Sequence, residues 1–118
     1  YIDLFNYYKG LIKLRKEYKA FRMNSNKEIQ KNISFMTKGN EFNEDHIVGY
    51  MINTEDYEES YSKIAVIFNS NKYDVEVYLN EGGWSVLVDN EKADSKAQYK
   101  IEDSMVKVSA RSTYILIK

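Results

Sequence analysis

The longest helical pattern in the sequence lies at its start, over residues 3–23. Successive residues of a helix are about 100° apart around its axis, so apolar residues three and four apart share a side. One continuous arc of roughly 180° collects the apolar side chains Leu4, Phe5, Tyr7, Tyr8, Leu11, Ile12, Leu14 and Tyr18. Since an arc of about 100° is enough for a helix that packs on one surface, we predict that this helix contacts two bodies.

The opposite side of the predicted helix is polar. It contains Asn6, Lys9, Gly10, Lys13, Lys16 and Glu17. Arg15 breaks the pattern, because it falls in the middle of the apolar arc. Burying a guanidinium without a partner costs several kcal/mol. We therefore expect Arg15 either to extend to water along its aliphatic stem or to pair with a carboxylate on a neighbouring body.

The rest of the chain is punctuated by turn residues. Asn24 or Ser25, followed by Glu28, has the spacing of an N-cap and capping box, which predicts a short second helix over residues 27–32. Short apolar or alternating segments then predict strands at residues 33–37, 46–53, 63–69, 75–79, 84–88, 97–101, 105–109 and 113–118. The segment at 63–69 is apolar on both faces, which predicts a strand in the middle of a sandwich.

This succession of elements predicts the fold class. Seven or eight short strands with frequent turns indicate a mainly β protein, an antiparallel Greek-key β-sandwich. It would carry an N-terminal amphipathic helix and a short second helix. We divide the chain into a helical segment, residues 1–32, and a β-sandwich domain, residues 33–118.

Composition narrows the classes of partner. The 17 basic and 18 acidic residues give a formal net charge of −1, so no global field attracts nucleic acid or anionic lipid. No apolar run reaches the roughly 18 residues that span a bilayer, so we expect neither a nucleic-acid nor a membrane partner. The absence of cysteine excludes disulfides and thiolate chemistry but leaves the compartment open. A chain that begins with Tyr1 and enters a helix almost at once is expected to be a segment of a longer protein.

Residue types that could carry chemistry are scattered. His46 is the single histidine and has no second histidine at ligand spacing, so we interpret it as structural. Acidic pairs at 55–56, 58–59 and 102–103 fall in predicted loops or turns, where such charges are usually solvated. The loop at 54–62 lacks the calcium-loop pattern. We therefore expect no catalytic, cofactor-binding or metal-binding residue in this chain, and no cofactor.

One aromatic residue leaves two readings open. Trp84 follows Gly82 and Gly83, which precede a strand and so predict a hairpin turn rather than a phosphate loop. It alternates with Val86 and Val88, which favours a core position. The alternative is that Trp84 stacks on a sugar ring, in which case the sandwich would be a carbohydrate-binding module.

Four stretches carry a family resemblance: NYYKGLIKLRKEYKAFRM at 6–23, KIAVIFNSN at 63–71, WSVLV at 84–88 and SARSTYILIK at 109–118. In order and spacing they resemble the C-terminal end of bacterial type I pullulanases, which are α-1,6-glucosidases of the α-amylase superfamily. Amylases and branching enzymes share the general pattern and are the alternative. The chain departs from the family's usual prolines at Lys19 and Ala110.

The resemblance implies that the first helix is the last helix of a catalytic (β/α)₈ barrel and that the remainder is a C-terminal sandwich. The parent enzyme would cleave α-1,6 branches of pullulan, glycogen or starch with two carboxylates, and these lie upstream of this chain. The partners expected are that barrel and, through the parent enzyme, the α-glucan.

The surface that meets the barrel is expected on the helix. We predict that it includes Leu4, Tyr8, Leu11 and Arg15. Without the barrel, an exposed apolar side of this helix is expected to drive self-association of the chain. The resemblance leaves the localisation of the parent open, because secreted, cell-surface and cytoplasmic enzymes all fit it.

Overall fold

The computed structural model describes residues 4–18, 31–54, 62–79 and 81–118. Its helix α1 spans Leu4–Glu17. The strands are β1 (Ile33–Phe35), β2 (Ile47–Asn53), β3 (Lys63–Asn69), β4 (Val75–Tyr78), β5 (Trp84–Val88), β6 (Tyr99–Ile101), β7 (Met105–Val108) and β8 (Ser112–Ile117).

The strands form two antiparallel sheets of unequal size. The larger sheet has six strands in the order β1-β2-β3-β8-β5-β6, and the smaller pairs β4 with β7. The central strand β3 pairs with β2 and with the distant β8. The chain therefore crosses between the sheets four times, and the predicted mainly β, antiparallel class is confirmed.

The main core lies between the two sheets. Inward-facing positions alternate along each strand, as a sandwich requires. The small sheet contributes Val75, Val77, Val106 and Val108, and the large sheet contributes Ala65, Ile67, Val86 and Leu116 among others. Trp84 belongs to the same cluster.

A second apolar cluster lies on the other face of the six-stranded sheet, under α1. The sheet contributes Ile52, Ile64, Val66, Leu87, Val88 and Ile115, and the helix contributes Leu14. The protein thus has three layers, with the large sheet in the middle. Strand β3 is apolar on both faces, as predicted, because both of its faces are covered.

The predicted strands match the structure, with shifts of one or two residues at several ends. Of the helical pattern at 3–23, Leu4–Glu17 are helical and Tyr18 is not, and residues 19–23 lie outside the described residues. Strand β1 stops at Phe35 and β6 starts at Tyr99, because the flanking residues form turns and loop. The predicted N-cap and most of the second helix lie outside the described residues. Its last two positions, Lys31 and Asn32, are helical.

One position in α1 was predicted wrongly. The helical pattern places Gly10 on the polar side, but in the structure Gly10 is buried. A Cβ at this position would overlap the main-chain carbonyl of Ala93. Glycine is therefore what allows the helix to approach the loop that follows β5.

Candidate functional site

Two tyrosines, one in α1 and one directly after it, form hydrogen bonds with the sandwich. The hydroxyl of Tyr7 donates to the main-chain carbonyl of Asp89 at 3.0 Å. The hydroxyl of Tyr18 donates to the carbonyl of Ser95 at 2.8 Å. Burial, followed by the negative charge of Asp89, raises the pKa of Tyr7, so the Tyr7 hydroxyl serves as a neutral donor.

The sandwich occupies only one side of the helix. Leu14 is 2% exposed and Gly10 is buried, while Tyr7, Leu11 and Tyr18 pack partly buried against the same cluster. These residues follow the three-and-four spacing of a single stripe. Leu11, predicted to face a partner, thus contacts the sheet and lies at the border of the stripe.

The other side of α1 remains open. Ile12 is 58% exposed and Arg15 is exposed. Within the described residues, no carboxylate forms an ion pair with Arg15. Leu4 and Tyr8 lie in α1, and their side chains are outside the described part of the chain. Of the predicted interface residues, Arg15 lies on the open side.

Trp84 is a core residue. Its side chain is 0% exposed, and the indole Nε1 donates to the carbonyl of Glu81 at 3.0 Å. Neither face of the ring is open to a sugar in this structure. The structure thus follows the core reading of the alternation with Val86 and Val88, and the sugar contact finds no support.

The turn around His46 is held by polar contacts. Lys38 Nζ lies 2.7 Å from Asp45 Oδ1, and this hydrogen-bonded pair lowers the pKa of Asp45. The hydroxyl of Tyr73 donates to Glu44 at 3.0 Å. His46 has a positive φ of 63°, and its carbonyl accepts from Ser70. His46 thus takes part in this turn through its main chain, and its side chain is exposed.

Residues suited to catalysis do not come together in the described ranges. No group of three or more histidine or acidic residues there could hold a metal ion. An open groove of about 820 Å³ runs between α1 and the loop at 91–98. Its charges include Lys13, which lies 3.7 Å from Asp94. The groove presents charges of both signs and no nucleophile paired with a base.

An apolar surface that the sequence did not predict lies beside the helix. We call it the aromatic patch, and it consists of Phe35, Val48, Tyr50 and Phe68. The alternation of apolar residues in β2 and β3 could have suggested it. The register that brings the residues together, however, is visible only in the folded sheet.

Among the described residues, no helix combines the length and the apolar character that crossing a bilayer requires.

The fold defines the class of protein as an antiparallel β-sandwich with a helix packed on its larger sheet, and comparison with known families specifies it. Residues 3–118 match the family of C-terminal domains of pullulanase-type α-1,6-glucosidases. The chain belongs to this family. This match favours the pullulanase assignment over the amylase and branching-enzyme alternatives.

Two pullulanases are among the solved structures that share the fold. The pullulanase from Bacillus acidopullulyticus shares 26% identity with a TM-score of 0.85, covering 98% of this chain and 14% of its own. Pullulanase type I from Bacillus subtilis, complexed with maltose, shares 27% identity with a TM-score of 0.73, covering 94% of this chain and 15% of its own.

The catalytic module of SpuA, a glycogen-degrading pneumococcal virulence factor, shares the fold as well. It has 24% identity and a TM-score of 0.78, covering 95% of this chain and 17% of its own. This chain therefore corresponds to a small part of each of these proteins.

Proposed function

We propose that this chain is the non-catalytic C-terminal domain of a pullulanase-type α-1,6-glucosidase, in which it caps and stabilises an upstream catalytic barrel. Residues 1–32 would supply the last helix of the barrel and its connection, and residues 33–118 the sandwich. The family match and the small share of each relative that the chain covers support this proposal.

The observation that carries the proposal is the one-sided packing of α1. The sandwich takes the stripe around Gly10 and Leu14, and Ile12 and Arg15 remain on the open side. An outer helix of a (β/α)₈ barrel must present its remaining apolar side to the barrel strands and neighbouring helices. A helix with two apolar sides can meet both requirements.

The substrate would reach this chain only through the parent enzyme. That enzyme would hydrolyse α-1,6 branches of pullulan, glycogen or starch with a nucleophile and an acid/base carboxylate, both upstream. The contribution of this chain would be stability rather than chemistry. The isolated chain is then expected to show no turnover of pullulan, and measurable hydrolysis by the pure chain would refute the non-catalytic role.

The capping role is tested with charge substitutions on α1 in the full polypeptide. Ile12→Asp and Arg15→Glu place negative charge on the open side, and Lys9→Asp, at a position facing solvent, is the matched control. Because burying Ile12 is worth about 2 kcal/mol, we expect both test variants to lower the thermal midpoint and the lifetime of pullulan hydrolysis on heating. Midpoints equal to that of the control would contradict the proposal.

A further inference from the structure

We propose that the aromatic patch is a second contact surface for the upstream catalytic domain, so that the domain is held by the sheet as well as by α1. This inference rests on the proposed function. The observations that support it are the exposure, the position and the chemistry of the four residues of the patch, Phe35, Val48, Tyr50 and Phe68.

The patch is a contiguous apolar surface. Phe35 is 71% exposed, Val48 is 54% exposed and Phe68 is 42% exposed. The register sets Phe35 opposite Tyr50 and Val48 opposite Phe68, so these side chains neighbour one another on one face. On a sheet face that is exposed to water, outward-facing positions such as these are normally polar. A cluster of exposed apolar side chains on a sheet marks a surface that another body covers.

The patch continues the layer that α1 occupies. Tyr50 packs against the apolar cluster under the helix, and burial raises the pKa of its hydroxyl. Its ring centroid also lies 6.1 Å from that of Phe35 and 6.5 Å from that of Phe68. Tyr50 therefore joins the helix-covered half of this sheet face to the exposed half.

The path of the chain places the upstream domain beside the patch. The Tyr7 hydroxyl binds Asp89, directly after β5. Val88, at the end of β5, pairs with Ile115 of β8. The start of β8 lies beside the end of β3, where Thr113 is opposite Phe68. The N-terminal half of α1 thus lies at the same end of the sheet as the patch. Strands β5 and β2 are three positions apart, which is about 14 Å at the usual strand spacing.

Under the proposed function, the barrel joins the chain at the N-terminus of α1. A domain that starts at the N-terminus of α1 and is tens of ångströms wide extends over the separation of about 14 Å between β5 and β2. Its tether gives it an effective concentration on the order of millimolar, which a second copy of the chain in dilute solution does not reach. The occupant that the geometry favours is therefore the barrel of the same polypeptide.

The chemistry of the patch suits a protein surface better than a sugar. A sugar ring stacks on a flat aromatic face with hydrogen-bonding groups around it. Here the planes of Phe35 and Tyr50 are inclined by 62°, and those of Tyr50 and Phe68 by 36°. Only Tyr50 offers a polar side-chain atom. Apolar side chains of a barrel helix would bury these inclined rings without leaving polar groups unpaired.

Hydroxyl-radical footprinting of the wild-type full polypeptide tests the inference directly. Each residue's oxidation rate in the native protein is divided by its rate in urea. We expect Phe35 and Phe68 to be as protected as the buried Tyr114, while the exposed Tyr73 and Tyr78 stay reactive. Reactivity of Phe35 matching that of Tyr73 would overturn the inference.

The same experiment separates this inference from the proposed function through Ile12. Protection of Ile12 together with the patch supports both. Protection of Ile12 with a reactive patch overturns the second contact and leaves the capping role. A reactive Ile12 and a reactive patch overturn both.

A pair of variants gives an independent measurement. The full polypeptide carries either Phe35→Ser alone or Phe35→Ser together with Phe68→Ser. The matched control is Tyr78→Ser on the small sheet. We expect a lower thermal midpoint for the patch variants alone, with circular dichroism confirming a folded protein at lower temperature. An unchanged midpoint would overturn the inference. The inference would also be overturned if the patch variants kept the wild-type midpoint but lost maltotriose binding, as a sugar site would, or no longer formed a dimer, as an interface between two copies would.

Discussion

The hydroxyl of Tyr7 donates a 3.0 Å hydrogen bond to the main-chain carbonyl of Asp89, 82 residues along the chain. This contact ties the first helix to the end of β5. Because Asp89 also caps the following turn by accepting from the amides of Glu91 and Lys92, one short segment anchors the helix and shapes the loop beneath it.

Tyr7→Phe removes this anchor while keeping the ring. We expect a loss of about 1 kcal/mol in the free energy of unfolding, the usual net value of such a hydrogen bond. Urea unfolding of the chain measures it. Tyr73→Phe, which removes an exposed hydroxyl from Glu44, is the control and should cost less. Equal losses would show that the Tyr7 hydroxyl has no special role.

Gly10→Ala is expected to destabilise the protein, against the general rule for helices. Replacing an interior helical glycine by alanine usually gains up to about 1 kcal/mol. Here the new Cβ would overlap the Ala93 carbonyl and push the helix off the loop, at a cost of about 1 to 3 kcal/mol. The free energies of unfolding of Gly10→Ala and of the control Lys9→Ala show whether the glycine substitution stabilises or destabilises the protein. A stabilised Gly10→Ala would refute this packing.

Asn69 links the two sheets and should not tolerate a carboxylate. Its Nδ2 donates to the carbonyls of Val108, Tyr73 and Ser109, and its Oδ1 accepts from the amide of Asn71. Asn69→Asp replaces the donor by an acceptor facing those carbonyls, in a side chain that is buried. We expect a loss of about 3 kcal/mol at neutral pH.

The control for Asn69→Asp is Asn40→Asp, an exposed position in a turn. Acidification should restore part of the stability of Asn69→Asp, because a protonated carboxyl can donate again. A variant that is as stable as the control at pH 7 would contradict the assigned network.

Glu81 is expected to make stability depend on pH at the acid end. It accepts from Lys63 at 2.7 Å and lies 3.2 Å from Lys118, and these contacts lower its pKa from the ordinary value of 4.5. A lowered pKa in the folded state means that the contribution is present above pH 4.5 and is lost as the pH falls through the folded-state value.

The measurement is the thermal midpoint at pH 7 and in the acid range for the wild type and Glu81→Gln. The wild type should lose more than the variant, and added salt should shrink the difference, since these groups are exposed. Glu76→Gln on β4 serves as the control. Parallel pH profiles for the wild type and Glu81→Gln would rule out the effect.

The chain without its barrel is expected to self-associate. The open side of α1 and the aromatic patch leave apolar side chains in water, and such surfaces favour association. Sedimentation equilibrium over a range of concentrations measures it. Ile12→Asp should shift the distribution toward monomer, whereas Lys9→Asp should not, and a monomer at every concentration would contradict the expectation.

The strand pattern was readable without the structure for a simple reason. Strands Lys63–Asn69 and Trp84–Val88 were predicted with their observed ends, because alternation and turn residues act over a few neighbours. The interface side chains were harder. The helical pattern predicted an apolar arc wider than one contact needs, but it placed Gly10 on the polar side, whereas packing buries Gly10 against the loop after β5. Leu11, predicted at the partner surface, packs partly buried against the sheet.

The sequence by itself determined which segments become helix and strand and which family the chain resembles, because these properties are local or cumulative along the chain. Only the tertiary structure decided that β3 pairs with β8, that Trp84 is sealed in the core, and that Phe35, Tyr50 and Phe68 meet on one exposed face. Those outcomes depend on register and on the choice between two faces, and they are fixed only when distant strands pack together.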